Sequence, residues 1–196
     1  VQTVAESSVD FVRENVVMQT IGPDGMRFMP FLMSLFFFIF FANITEVIPF
    51  IQFPANSRMA APAVLAIIVW LVFNAVGIKS QGFFQYFKNT VIPPGVPGAL
   101  LPLVAVIEFV STFLVRPFSL AVRLFANMLA GHLLLVTFAV LTTALWTPGP
   151  LAAIVWAPFV VLIGLTGFEI LVAFLQAFIF TILTAVYIGG ALHPEH

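Results

Sequence analysis

Two long apolar runs near the C-terminus, residues 99–144 and 151–192, restrict the fold of this chain more than any other feature. As one helix, the first run would be about 69 Å long at about 1.5 Å per residue, whereas the hydrocarbon core of a bilayer is about 30 Å thick. Nothing between residues 103 and 144 resembles a water-exposed connection. The two runs therefore predict a hairpin of two long, steeply tilted membrane helices, with a turn at 147–150.

The composition is that of a membrane protein, because 62% of the residues are hydrophobic and only 8% are charged. Soluble domains carry about 25% charged residues. Two more apolar stretches, 28–45 and 60–78, approach the roughly 20 residues that a helical crossing needs. We therefore predict an all-α integral membrane protein with one membrane domain over residues 1–196.

The first 27 residues are polar, with only sparse apolar positions. Val9, Val12 and Val16 follow helical spacing, and charged residues lie between them. Residues 1–27 are therefore predicted to form a surface amphipathic segment that lies on the membrane. A frayed tail is the alternative interpretation of the same residues.

Composition also excludes several classes of function. The chain has no cysteine, which excludes a thiol nucleophile, a disulfide framework and a cysteine-based metal site. Its net charge of −1 provides no basic field for nucleic acid, and it lacks a phosphate-binding loop of the Gly-x4-Gly-Lys-Ser/Thr type. We expect no cofactor, no bound metal and no nucleic-acid partner.

Lysine and arginine are distributed unevenly between the two ends of the predicted helices. One side holds the C-terminus and four cations, Arg13, Arg27, Lys79 and Lys88. The other side holds Arg58 alone. Because cytoplasmic loops of membrane proteins carry an excess of these residues, we expect the first side to be cytoplasmic.

Polar residues of the hairpin fall on one face of each helix. The first stripe has spacings of 4, 4, 3, 4 and 4 and comprises Glu108, Thr112, Arg116, Ser119, Arg123 and Asn127. The second has spacings of 3 and 7 and comprises Thr166, Glu169 and Gln176. Two such stripes predict a hydrated path or a charged seam that faces a partner. Hydrogen bonding between helices is the alternative role for the hydroxyl and amide members.

Arg123 is the residue of the stripe with the strongest functional signal. A charge at bilayer depth costs about 3 kcal/mol on insertion scales, and arginine cannot avoid that cost by losing its proton. His132 lies nine residues further along, on roughly the opposite helix face. His132 and Glu169 can both titrate near neutral pH, which predicts a proton relay, with a simple interhelical hydrogen bond as the alternative.

Two segments resemble signatures of the a-subunit family of F-type ATP synthases. The first is RPFSLAVRLFANMLAGH, residues 116–132, and the second is LQAFIF, residues 175–180, followed by Leu183, Thr184 and Tyr187. The similarity extends from Phe41 to the C-terminal tail. The family has the oblique hairpin and usually one more membrane helix upstream, so the resemblance implies that this chain lacks that first transmembrane helix.

The resemblance implies a proton-conducting stator in the Fo sector, with two offset half-channels against the rotor c-ring, coupled to rotation and ATP synthesis. Arg123 would face the rotor carboxylate, with Asn127 and Gln176 as its polar neighbours. The outer half-channel would contain His132 and Glu169, and the cytoplasmic half-channel would contain Glu108 and Ser119.

This sequence departs from the family pattern at several of these positions. Some members have an acid where His132 stands and a histidine where Glu169 stands, so the pair is exchanged here. Ala126 replaces a frequent glycine, and Glu108 lies one residue further from Pro117 than the pattern has it.

The resemblance also implies partners and a location. The partners would be the c-ring, b-type peripheral stalk subunits, membrane lipid and, indirectly, the F1 sector, with no enzymatic activity in the chain itself. The location would be a bacterial plasma membrane or a mitochondrial inner membrane, with the C-terminus on the cytoplasmic or matrix side. The alternatives are a secondary transporter that binds an anionic substrate at Arg123, although we find no convincing internal repeat, and a purely structural membrane anchor.

Overall fold

A computed structural model describes residues 2–48, 59–92, 100–146 and 154–192. Within these four ranges all regular structure is helical, and four helical stretches are long and apolar enough to cross a membrane. The prediction of an all-α integral membrane protein is confirmed. The predicted turn at 147–150, Arg58 and the first residues of both hairpin ranges lie outside the described residues.

Eight α-helices and three tighter or wider helical turns make up the described chain. The helices are α1 Gln2–Val12, α2 Met18–Thr20, α3 Met29–Val47, α4 Ala60–Gln81, α5 Phe83–Val91, α6 Leu101–Val110, α7 Arg116–Leu145 and α8 Trp156–Leu192. Two π-helical turns, Arg13–Val17 and Ser111–Val115, connect α1 to α2 and α6 to α7. A 3-10 helix, Pro23–Phe28, precedes α3.

The helices of the hairpin are longer than a straight crossing requires. The stretch Leu101–Leu145 has 45 residues and Trp156–Leu192 has 37, which correspond to about 68 Å and 56 Å. The two other candidate spans, Pro23–Thr45 and Ala60–Gln81, have 23 and 22 residues. The tilt of the hairpin against the bilayer stays a prediction.

Helix α8 is the centre of the fold, because it packs against α3, α4 and α7. Small buried residues along its inner face, among them Ala177, Ala185 and Gly189, allow neighbouring helices to approach closely. Large side chains such as Phe73 and Phe180 fill the space between the helices. The polar residues of the two stripes are thereby held at fixed positions along α7 and α8.

The N-terminal segment is helical and docks on the membrane-length helices. Val12 and Val16 are fully buried, and the ring of Phe11 lies 5.5–5.6 Å from the rings of Phe174 and Phe178 on α8. The described residues from 2 to 20 therefore do not form a frayed tail. Their position relative to the membrane surface stays a prediction.

Helix α5 folds back on α4 through Gly82, whose φ of 84° favours glycine. The ring of Tyr86 lies where a Cβ on Gly77 would be, and its hydroxyl donates to Asn74 Oδ1 at 3.1 Å. Burial raises the pKa of the Tyr86 phenol, which keeps it protonated as a donor. At the same end, Gln81 Nε2 donates to the Ala191 carbonyl at 2.8 Å, which ties the end of α4 to the end of α8.

Candidate functional site

A hydrogen bond between two amides joins the polar stripes of α7 and α8. Asn127 Nδ2 donates to Gln176 Oε1 at 2.7 Å. Gln176 is only 3% exposed, and its Nε2 has no partner among the described residues. A buried donor without a partner costs about 1–3 kcal/mol, so this nitrogen requires an acceptor that the described side chains do not supply.

A small cavity adjoins this hydrogen bond. Its volume is about 20 Å³, and a water molecule needs roughly 10–15 Å³ by the same measure. Polar residues from three helices line it, namely Asn43 from α3, Asn127 from α7, and Glu169 and Gln176 from α8. The cavity has room for one water molecule, and Gln176, whose Nε2 lacks a partner among the described residues, is one of the residues that line it.

The carboxyl group of Glu169 packs directly on the backbone of Gly131. A Cβ at position 131 would lie 2.5–2.6 Å from three carboxyl atoms of Glu169, so any larger residue would displace the carboxyl group. Glu169 is only 9% exposed. Gly131 therefore leaves the space that the only carboxylate of α8 occupies.

Arg123 lies one helical turn from Asn127, on the same face of α7, and is half-buried. Across the four described ranges, no hydrogen bond or ion pair reaches its guanidinium group. Arginine stays charged in any protein environment. The described chain thus holds a permanent cation in a membrane-length helix without an anionic partner of its own.

The other arginine of the stripe, Arg116, contacts an aromatic ring of its own chain. Its guanidinium carbon lies 5.1 Å from the centre of the Tyr187 ring on α8, a distance typical of a cation–π contact. The Tyr187 ring holds the Arg116 guanidinium group beside α8, whereas no aromatic ring among the described residues does so for Arg123.

The comparison with known proteins decides the family. A family model described as ATP synthase A chain matches residues 1–189. The chain belongs to the ATP synthase A chain family. The resemblance inferred from residues 116–132 and 175–180 is therefore confirmed.

Relatives across bacteria match nearly the whole chain and carry the name ATP synthase subunit a. The protein of Rhodococcus erythropolis is 47% identical over 99% of this chain and 72% of its own length. That of Frankia alni is 48% identical over 100% and 68%. That of Parvibaculum lavamentivorans is 45% identical over 100% and 74%.

A π-helical turn separates Glu108 from the part of the stripe that lies on α7. The Arg116 N–H donates to the Ser111 carbonyl, five residues back, and closes the turn Ser111–Val115 between Glu108 and Pro117. Such a turn holds about one residue more than an α-helical turn. The turn thus places one residue more between Glu108 and Arg116 than a regular α-helix of the same rise would hold.

The fold brings some of the predicted site residues together and leaves others apart. Asn127, Gln176 and Glu169 line one cavity, and Arg123 is one turn away. His132 follows Gly131 and is partly buried, but it is not among the residues that line this cavity. Glu108 and Ser119 are half-buried on the part of the stripe before Arg123. The roles of all seven residues stay predictions.

Sequence reasoning missed Asn43 and Gly131. Asn43 is only 8% exposed at the end of the apolar helix α3, and the rule that polar residues in membrane helices face the protein interior would have selected it. Gly131 carries no signal of its own, because its importance depends on which residue of α8 lies opposite.

We expect Asn127 and Gln176 to be energetically coupled. Each single change to alanine leaves the other amide without its partner, so the double variant should be less destabilised than the sum, by about 1 kcal/mol. Thermal unfolding of the assembled complex measures the three variants. Pairing Asn127→Ala with Thr137→Ala is the control, because Thr137 bonds within its own helix. Purely additive effects of the Asn127 and Gln176 changes would contradict the coupling.

Proposed function

We propose that this chain is the proton-conducting stator subunit of the Fo sector of an F-type ATP synthase. In this role it forms two offset half-channels against the rotor c-ring and couples proton translocation to rotation and ATP synthesis. Its family supports membership of the ATP synthase complex, and its four membrane-length helices support a multi-pass membrane protein. The single observation that carries the mechanism is Arg123, a permanent cation that its own described chain leaves unpaired.

A fixed cation between two half-channels performs two tasks. It attracts the ionised rotor carboxylate and favours that ionised form, so the carboxyl group gives up its proton. It also repels protons, so that protons cannot pass directly from one half-channel to the other. Arginine suits both tasks because it never carries the proton itself. Each proton contributes about 2.3 kcal/mol per 100 mV of membrane potential.

The antiparallel hairpin supports an outer path that leads toward Arg123. Two contacts follow one another at one-turn intervals beyond Arg123, namely Asn127 with Gln176 and Gly131 with Glu169. Glu169 therefore lies about 12 Å from Arg123 along the helix axis. A proton cannot cross that distance in one step. Two further carriers must therefore complete the path, namely water beside the Asn127–Gln176 pair and the carboxylate of the rotor. His132, next to Gly131, is the second titratable group on this side.

A cytoplasmic path is proposed on the other side of Arg123. Glu108 and Ser119 are half-buried there, and the π-helical turn between Glu108 and Arg116 widens the helix. Within that turn, Thr112 is 2% exposed and its hydroxyl has no partner in the described part of the chain. Buried hydroxyls of this kind bind water, which supports hydration of this segment.

Assembly follows from the same role. The c-ring would face Arg123, and b-type peripheral stalk subunits would hold the chain against rotation and connect it to the F1 sector. The end of the molecule that carries Arg27, Lys79 and Lys88 would be cytoplasmic, or on the matrix side in a mitochondrion, and the C-terminus would lie with it.

Dependence on the rotor tests the proposal. Vesicles that contain this chain alone should conduct neither protons nor organic anions, because half of each proton path belongs to the ring. Vesicles with the complete membrane sector should conduct protons under an imposed potential, measured with a pH-sensitive dye inside the vesicles. Anion uptake by the chain alone would instead support the secondary transporter.

A further inference from the structure

A second, larger cavity lies at the C-terminal end of α8. It shares no lining residue with the cavity that Glu169 lines. Its volume is about 390 Å³, within the range of small-molecule sites. Three elements form it, namely the 3-10 helix Pro23–Phe28, the second half of α4 and the last residue of α8. The Gln81 bond to the Ala191 carbonyl holds the ends of α4 and α8 together beside it.

The polar part of the cavity wall is cationic. Arg27, Lys79 and Ser80 line it, and no carboxylate does so in the described part of the chain. The guanidinium carbon of Arg27 lies 5.3 Å from the centre of the Phe28 ring, and Arg27 Nε donates to the Asp24 carbonyl at 3.3 Å. Arg27 is exposed, and these two contacts leave the terminal nitrogens of its guanidinium group available, a geometry that suits a phosphate.

Lys79 adds a second charge from a different helix. Among the described residues, no hydrogen bond or ion pair involves its ammonium group. Two cations that line one cavity repel each other, and an anion between them removes that repulsion. The charge distribution therefore points to an anionic occupant.

The rest of the wall and its depth indicate a lipid. Four residues of the wall are apolar, namely Phe28, Ala75, Val76 and Leu192. Arg27 is near the start of the span Pro23–Thr45 and Lys79 is near the end of the span Ala60–Gln81, so both lie where a spanning helix meets the headgroup region. Basic pockets between membrane helices at this depth bind anionic headgroups.

We propose that this cavity binds one anionic phospholipid, with its phosphate between Arg27 and Lys79 and its glycerol and first acyl carbons against the apolar wall. The site differs from the proton path, because none of the residues of the two polar stripes lines it. The inference does not depend on the proposed function.

A photoreactive phosphatidylglycerol tests the site in the purified complete complex, embedded in nanodiscs of phosphatidylcholine and phosphatidylglycerol. We expect adducts on peptides of the 3-10 helix and of α4, identified by mass spectrometry. Unlabelled phosphatidylglycerol should compete for them, whereas added phosphatidylcholine and inorganic phosphate should not. Arg27→Gln and Lys79→Gln should each lower the adduct yield about fivefold, and the double variant about twentyfold.

Lys88→Gln is the matched control, because Lys88 is an exposed cation on α5 at the same end, outside the cavity. It should leave the adduct yield within about twofold of the wild type. An equal loss in Lys88→Gln would mean general attraction to an anionic surface and would overturn the site. Competition by phosphatidylcholine would show that the site does not recognise the negative charge of the lipid. Full competition by inorganic phosphate would show that the cavity binds a free anion and not a lipid.

Discussion

Arg123→Ala is expected to stop ATP-driven proton pumping while the complex still assembles. The change removes the cation that is proposed to discharge the rotor carboxylate, and the other arginine of the stripe, Arg116, is engaged with the Tyr187 ring two turns away. Assembly should persist because Arg123 makes no hydrogen bond or ion pair in the described ranges, and removal of a charge from a membrane helix relieves about 3 kcal/mol. Quenching of a pH-sensitive dye in inverted vesicles measures the pumping.

Arg116→Ala is the matched control for this change. It removes the same charge from the same helix, but Arg116 is engaged with Tyr187, so its loss should cost about 0.5–2 kcal/mol of stability and leave pumping measurable. Arg123→Lys should also fail to pump at the wild-type rate, because lysine can lose its proton. Normal pumping by Arg123→Ala would end the proposed mechanism.

Helix positions could be predicted, and Arg123 could be selected as a candidate residue, because the signals are local. The apolar runs at 99–144 and 151–192 correspond to helical stretches of 45 and 37 residues. Backbone groups in lipid must be hydrogen-bonded within the segment, so a long apolar run is expected to be helical. Arg123 was selected from the free-energy cost of a charge at bilayer depth, because such a cost is expected only where the charge has a function. Neither argument needs the three-dimensional arrangement.

The contacts of Gly131 and the π-helical turn were not predictable in the same way. Which residue of α8 meets Gly131 depends on the register between two helices, and small residues set that register only after they pack. The turn Ser111–Val115 leaves no mark in composition.

The N-terminal segment shows a third limit of prediction from the sequence. The spacing of Val9, Val12 and Val16 predicted an amphipathic helix, and such a face can be buried in lipid or in protein. In the structure Val12 and Val16 are buried against protein while Val9 is 36% exposed. The sequence predicts that the helix has an apolar face. Whether that face packs on lipid or on protein depends on the neighbouring helices α3 and α8.

Glu169→Gln is expected to slow proton flux at least about tenfold and to weaken its dependence on outer pH. Glutamine has nearly the same shape, so contact with Gly131 is retained while the titratable group is lost. Flux is measured in vesicles with the complete membrane sector under an imposed potential, over a range of outer pH. Wild-type rates at every pH would support simple hydrogen bonding between the helices in place of a relay.

Gly131→Ala separates the position of the carboxyl group from its chemistry. The added Cβ would lie 2.5–2.6 Å from three Glu169 atoms, so the carboxyl group must move while it remains titratable. Flux should fall but keep its response to outer pH, unlike in Glu169→Gln. Gly164→Ala is the control, because nothing lies within 4 Å of a Cβ at that position of α8. If Gly131→Ala and Gly164→Ala behaved alike, the contact between Gly131 and Glu169 would have no part in proton transfer.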